Sequence, residues 1–279
     1  MEKILVTGSE GFIGKEIVKR LKKNELIQDK IGTKRVNLQN FEEVMKIKKA
    51  DIVIHLASKT KKSFNWEEYF NNNVSGTLNI LEYCINKKIK NIIFVSSYVY
   101  GNPTYLPIDE KHPTNPHNKY TKSKFLAEEL CEFYAKNFNL NVTILRPFNI
   151  FGKTSSEDFL ISKLFKSIKT NEKIIIVNKN SKRDFLYIDD FVDVVLTIKN
   201  YDFKFEIFNV GSGISYSFNE IIKKIEKITS KKIKLHYETN QENFIADIKA
   251  DITKIYEKIN WKPKMGFDEG LQKISKKYS

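Results

Sequence analysis

Lys3-Ile4-Leu5-Val6-Thr7-Gly8-Ser9-Glu10-Gly11-Phe12-Ile13-Gly14 is the stretch that decides the fold of this chain. Lys3 to Thr7 reads as a short buried strand, and the apolar residues Phe12, Ile13, Ile17, Val18 and Leu21 then recur at helical spacing. The order is strand, glycine turn, helix. Glycines let a backbone turn tightly and approach a pyrophosphate, whose charge then lies at the helix amino terminus, where free N–H groups point outward. The spacing here is Gly-x-x-Gly-x-x-Gly, a departure from the commoner dinucleotide fingerprint.

Outward from this stretch, strands are expected near 3–7, 31–35, 51–56, 91–96 and 141–146, alternating with helices near 12–23, 40–48, 73–88 and 119–138. Such alternation predicts a doubly wound α/β fold, a parallel sheet with helices on both faces. Shorter elements follow residue 152, including a strand at 173–177, a helix at 218–228 and an extended run at 232–237. No repeat or low-complexity linker interrupts the chain.

Tyr120-Thr121-Lys122-Ser123-Lys124 carries the chemistry, together with Ser96-Ser97 upstream. A free phenol titrates near 10, and lowering it to about 7 takes roughly 4 kcal/mol of differential stabilisation. Lys124, at i+4 on a helix, shares a face with Tyr120 and can favour the tyrosinate. Ser96, at a strand end, would hold the substrate oxygen. Taken alone, Tyr-x-x-x-Lys is equally a helix face with a solvated lysine.

Joined to the glycine turn, these residues resemble the extended branch of the short-chain dehydrogenase/reductase superfamily, the NAD-dependent epimerase/dehydratase-like enzymes of nucleotide sugars. Further segments agree in order: Asp51 to Ala57, Asn73 to Thr77, Phe94 to Gly101, Leu145 to Gly152, Arg183 to Asp190, Phe208 to Gly211 and Trp261 to Pro263. The resemblance spans almost the whole chain. It implies a Rossmann-type domain over 1–152, with 188–199 packing back on it, and a smaller C-terminal substrate-binding lobe over 153–279. It implies catalysis by Ser96, Tyr120 and Lys124, with Ser96 rather than Ser97 as the catalytic hydroxyl. Cofactor contacts are expected from Gly8, Gly11, Phe12, Ile13, Gly14, Leu56, Ala57, Asn73 and Lys124, and substrate contacts from Ser97, Asn149 and Arg183. A homodimer formed through the helices at 73–88 and 119–138 is implied as well.

The cofactor reading turns on the second strand. An NAD-selective site places an acidic residue at its end, to bind the ribose 2′-hydroxyl. With the strand at 31–35, Thr33, Lys34 and Arg35 stand there instead and suit a 2′-phosphate, which favours NADP(H). The alternative strand is Leu26 to Gln28 with Asp29 as ribose ligand, which favours NAD. Arg35 is one of four arginines; Arg20 reads as solvated surface, Arg146 as partner of a structural carbonyl or carboxylate, and Arg183 as a guanidinium for a substrate diphosphate, with an ion pair to Asp184 or Asp189 as the alternative.

The related dehydratases carry an Asp-Glu pair after the catalytic hydroxyl; Ser97-Tyr98 stand here, which disfavours dehydration. Two reactions remain: reduction of a 4-keto-6-deoxy sugar nucleotide by NADPH, favoured by the cations near 34–35, and 4-epimerisation of a UDP-sugar with tightly held NAD. A non-catalytic cofactor-binding protein would be expected to lack the serine, tyrosine or lysine, and all three are present.

The net charge of +14 arises from lysines scattered among acidic residues, so a solvated surface explains it better than a nucleic-acid site. No apolar run of membrane-spanning length and no signal peptide is read, and Cys84 and Cys131 suit buried thiols in a reducing, cytoplasmic setting. The four histidines show no metal spacing, and His55, inside an apolar strand, reads as a satisfied core residue.

Overall fold

The computed structural model describes residues 2–31, 33–60, 65–239 and 245–278. The chain divides into two compact units: Met1–Val99, Thr114–Pro147 and Val192–Phe208 form the first, and Tyr100–Pro113, Phe148–Phe191 and Asn209–Ser279 the second.

The first unit is built on β1 (Ile4–Thr7), α1 (Phe12–Arg20), β2 (Leu26–Gln28), a hairpin of β3 (Lys30–Ile31) and β4 (Lys34–Arg35), α2 (Phe41–Met45), β5 (Ile52–His55), α3 (Trp66–Tyr69), α4 (Gly76–Asn86), β6 (Asn91–Val95), α5 (Lys119–Asn137) and β7 (Asn141–Pro147). Its sheet runs in the order β7-β6-β5-β1-β2, every one of these neighbours parallel, with the strand Phe205–Val210 beyond β7. β1 and β5 are buried at every position, as expected of strands covered on both faces. One core packs Leu5, Val53, Phe94, Val142 and Ile144 of the sheet against Ile80, Leu81 and Cys84 of α4 and Ala127 and Cys131 of α5.

The second strand is where the structure corrects the sequence reading. Leu26–Gln28, not 31–35, pairs with β1, and Lys30–Ile31 folds back antiparallel on Lys34–Arg35. Lys30 and Ile31 are not sheet residues of the main path because the chain leaves the sheet at Asp29.

Two other differences are local. The helix expected from 73 begins at Trp66, capped by the Asn65 side chain, which accepts from Glu67 N at 2.9 Å, and passes through a π-helical stretch, Phe70–Ser75, before α4. Residues 100–113, expected in the first domain, group with the second unit. There Ile108 N donates to Lys249 O at 2.8 Å, and the Asn209 amide accepts from Tyr100 Oη at 2.6 Å and donates to Ile108 O at 2.9 Å.

In the second unit the strand Lys182–Tyr187 pairs with Asn149–Phe151 and Asp247–Ile248 in parallel and with Ser215–Ser217 antiparallel. The buried Asp184 carboxylate satisfies Ser212 N and Oγ, Gly213 N and Ala250 N, so it organises the turn after the Phe205–Val210 strand.

Arg146 is a buried cation of the first unit with a buried carboxylate partner. Its Nε lies 3.1 Å from both Glu128 oxygens and Nη2 2.6 Å from Oε2, joining β7 to α5. Arg146→Met strands the Glu128 charge and is expected to cost about 3–5 kcal/mol in urea denaturation. Adding Glu128→Leu should recover much of that loss; a double variant as unstable as the single one would contradict this account.

Candidate active site

The glycine turn is held by contacts that leave no room for side chains at two positions. Gly8 has φ +68, and a Cβ there would lie 2.8 Å from Ala57 N; at Gly14 it would lie 2.2 Å from Gly8 O. α1 therefore starts against the turn, its N-cap Gly11 offering no side-chain bond and its first turn no acidic residue. The outward N–H groups suit an anion. Phe12 and Ile13 are half-buried behind them.

Asp29 stands at the end of β2, 1% exposed. Its Oδ2 accepts from Gly8 N at 2.9 Å and its Oδ1 from Ser9 Oγ at 2.8 Å. A carboxylate thus occupies the position beside the glycine turn where the sequence reading put cations. Thr33, Lys34 and Arg35 lie on the exposed hairpin, and Arg35 Nε reaches Asp29 Oδ2 at 3.5 Å. Lys30 Nζ meets Glu10 of the turn at 2.5 Å. The cradle and the acceptor beside it fit a dinucleotide.

β5 ends in a continuous hydrogen-bond chain. Thr7 Oγ1 accepts from Ala57 N at 3.2 Å and donates its proton to His55 Nδ1 at 2.6 Å, the tautomer being set at the other ring nitrogen by Thr77. His55 Nε2 then donates to Thr77 Oγ1 at 3.0 Å, and Thr77 donates to Asn73 O at 2.6 Å. The chain suits a neutral imidazole; burial, reinforced by the Lys124 charge, pushes His55 down to about 3. Leu56 and Ala57 follow, half-buried, at the strand's carboxyl end.

Asn73, expected at the cofactor, is wholly buried in the π-helical stretch. Its amide accepts from Lys59 N at 2.7 Å and donates to Lys59 O at 3.2 Å and Ser123 Oγ at 2.8 Å. These protein partners take up both its N–H groups and clamp the loop after β5.

α5 opens with a capping box in which Asn118 Oδ1 accepts from Thr121 N at 2.9 Å and Thr121 Oγ1 from Asn118 N at 3.3 Å. This fixes Tyr120 in the first turn and Lys124 one turn later. Tyr120 is half-buried. Burial holds its phenol above the ordinary tyrosine value, the smaller influence of Ser97 and Ser58 pulling the other way. Ser96 is 3% exposed, and its Oγ finds no hydrogen-bond partner among the described residues. A buried hydroxyl without a partner is costly unless a ligand completes it.

Lys124 lies on the same helix as Tyr120, one turn later, and is buried. It is 1% exposed, its Nζ 4.1 Å from the centre of the Phe94 ring, and burial pushes its ammonium down to about 7, opposed by Cys131 and Glu128. It rests on an aromatic face.

Asn149 and Arg183 come together within the second unit, on paired strands two positions apart in register. Asn149 Nδ2 donates to Asp184 O at 2.9 Å. Arg183 Nη1 donates to Lys182 O at 2.7 Å and Ile245 O at 3.0 Å, its guanidinium 5.5 Å from the Phe218 ring centre. Sequence reasoning left Ser58 in an uninterpreted loop; its nearness to Tyr120 has no local signal. Among the described residues no cluster could hold a metal ion.

The description NAD dependent epimerase/dehydratase family matches residues 4–211. The chain belongs to this family. A Methanocaldococcus jannaschii protein provisionally named UDP-glucose 4-epimerase is 34% identical, over 97% of this chain and 96% of its own length. The UDP-glucose 4-epimerase of Thermotoga maritima, solved with UDP-glucose, is 26% identical with a TM-score of 0.91, covering 99% of this chain and 98% of its own. RMD from Pseudomonas aeruginosa, solved with NADPH, shares the fold at 23% identity and TM-score 0.91, covering 100% of this chain and 99% of its own. This protein is therefore an enzyme of the extended short-chain dehydrogenase/reductase type, from a family that acts on nucleotide sugars with NAD(P).

The folded value of Lys124, about 7, lies below its ordinary 10.5, so between those pH values the unfolded chain binds more protons and stability rises with pH. In the cofactor-free protein Lys124→Met should exceed wild type in urea-denaturation stability below pH 7, with the gap narrowing toward pH 10.5. A gap independent of pH would contradict the assignment.

Proposed function

We propose that this enzyme is a nucleotide-sugar 4-epimerase that retains NAD and acts on UDP-hexoses. The observation that carries the reading is Asp29 at the end of β2, bonded to Gly8 N and Ser9 Oγ. A carboxylate there accepts from ribose hydroxyls and repels a 2′-phosphate. A cofactor that needs no exchange suits an internal cycle of oxidation and reduction, and the similarity to UDP-glucose 4-epimerases points the same way. A second reading, reduction of a 4-keto-6-deoxy sugar nucleotide with NADPH, is supported by Lys34 and Arg35, the latter 3.5 Å from Asp29 and able to meet a phosphate.

In this reading Gly8, Gly11, Phe12, Ile13 and Gly14 hold the pyrophosphate end of the dinucleotide, Leu56 and Ala57 line its bed, and Lys124 holds a ribose. Bound NAD supplies reversible hydride acceptance at C4 of the sugar. The unpartnered Ser96 hydroxyl bonds the C4 oxygen. Tyr120 takes the C4 hydroxyl proton as the carbon is oxidised and returns it when the other face is reduced. Ser97, next to Ser96, is assigned to the substrate and favours the ionised phenol. Since Lys124 rests on Phe94 in the cofactor-free protein, the acidic phenol that catalysis needs is a property of the loaded enzyme. Within the second unit, Asn149 and Arg183 are assigned to the substrate diphosphate. Turnover of a soluble sugar nucleotide fits the cytoplasm, and no helix among the described residues is long and apolar enough to cross a membrane. Exposed Leu78 on α4 and Phe133 on α5 support a homodimer through those helices.

Purified protein given UDP-glucose and no added cofactor should form UDP-galactose, followed by chromatography of the nucleotide sugars. Tyr120→Phe should lower turnover by about a hundredfold or more with NAD affinity near that of wild type. Near-normal turnover would contradict the role of Tyr120. Absence of interconversion, with NADPH oxidised in the presence of a 4-keto-6-deoxy sugar nucleotide, would replace the epimerase with the reductase.

A further inference from the structure

We propose that His55 is a positioning residue: fixed in one tautomer between Thr7 and Thr77, its imidazole holds the loop after β5 in place against the helix that carries Tyr120. The proposal rests on the reading of Ala57 as part of the cofactor bed and of Tyr120 as the acid and base of the reaction. Thr7, His55 and Phe94 stand side by side at registered positions near the carboxyl ends of β1, β5 and β6. Beside them the glycine turn leaves Ala57 no slack, since a Cβ on Gly8 would lie 2.8 Å from Ala57 N.

The directions of the hydrogen bonds set the tautomer. Thr77 Oγ1 gives its proton to Asn73 O at 2.6 Å, so toward His55 Nε2, 3.0 Å away, it accepts. Nε2 therefore carries the ring proton, and Nδ1 accepts from the Thr7 hydroxyl at 2.6 Å. Thr7 Oγ1 accepts in turn from Ala57 N at 3.2 Å. Thr7, His55, Asn73 and Thr77 are each 0% exposed, so a bond lost from this chain leaves a buried polar group unpaired. An apolar residue would fill the place on β5, as Ile52 and Ile54 do. A neutral imidazole, with an acceptor on one side and a donor on the other, is what joins the two threonines.

The far end of the chain reaches α5. Asn73, held through its carbonyl by Thr77, donates from its amide to Ser123 Oγ at 2.8 Å, and Ser123 donates to Tyr120 O at 2.7 Å. The same amide grips Lys59 N and O at 2.7 and 3.2 Å. The loop is therefore tied at Ala57 through His55 and at Lys59 through Asn73, and both ties meet in the π-helical stretch. The groups packed on the imidazole from β6 and α5 are Phe94, ring centres 5.6 Å apart, and Lys124, whose ammonium lies over that ring. Burial and this charge keep His55 neutral, so its donor and acceptor roles persist. His55 acts through Ala57 and Asn73 and needs no contact with cofactor or substrate.

The test breaks the chain at a residue outside the assigned cofactor and substrate contacts. Thr77→Val keeps the shape of the side chain and removes the hydroxyl that joins His55 to Asn73. The emptied protein is titrated with whichever of NADH and NADPH binds the more tightly. Thr77→Val should weaken that binding by about fivefold to tenfold, and Thr77→Ser should restore it to within about twofold. In turnover with saturating cofactor, kcat should fall about tenfold in Thr77→Val with KM for the sugar nucleotide little changed. Histidine-labelled, cofactor-free protein is read by 15N NMR, the His55 signals being assigned by their loss in His55→Asn; wild type should show the Nε2–H form. The Nδ1–H form overturns the proposal. So does a Thr77→Val protein that loses urea-denaturation stability and keeps its cofactor affinity, or a Thr77→Ser protein as weak as Thr77→Val. Because tautomer and cofactor affinity are read without substrate, a protein inactive on every UDP-sugar would refute the epimerase reading and leave this test decisive.

Discussion

The bond from Gly8 N to the Asp29 carboxylate is the constraint on which the cofactor side of this enzyme depends. It ties the end of β2 to the turn after β1, and the turn in turn sets the start of α1 through the contact of Gly14 with the Gly8 carbonyl. A buried carboxylate needs several donors, and the turn provides a backbone N–H and the Ser9 hydroxyl. The same bonds hold in place an acceptor beside the anion-binding helix end. Strand pairing and the glycine turn are one arrangement, so a change that frees Asp29 loosens both.

The catalytic side depends on α5. Its capping box sets the register, which puts Tyr120 toward Ser97 and Ser58 and sends Lys124, Glu128 and Cys131 into the core. Glu128 pairs with Arg146 of β7, so the helix is fixed to the sheet by a buried charge pair at one level and by the Ser123–Asn73 bond at another. Lys124 between them is a buried cation over an aromatic ring.

Much of this was legible in the sequence where the signal is local. The strands at Ile4–Thr7, Ile52–His55, Asn91–Val95 and Asn141–Pro147 are apolar runs buried on both faces, and the glycine turn and Tyr120/Lys124 spacing follow from backbone geometry and helical period. His55 read as a satisfied core residue, and it is one. β2 was the misreading. It is three half-buried residues, too short for a period, and the Ile31, Lys34 and Arg35 that mimicked a strand end belong to a hairpin outside the sheet. The helix start at Asn65-Trp66-Glu67-Glu68 did carry a capping signal, but the π-helical turn that buries Asn73 did not. The Asn73 clamp on Lys59 depends on loop shape, which no periodicity encodes.

The measurement that tests the account most directly is mass spectrometry of the nucleotide released when the purified protein is denatured, with titration of the emptied protein by NADH and NADPH. With Asp29 at the end of β2, the account predicts NAD carried through purification in near-stoichiometric amount and tighter binding of NADH than of NADPH. Released NADP, or an empty protein that binds NADPH more tightly than NADH, would contradict it and assign the site to the cations Lys34 and Arg35.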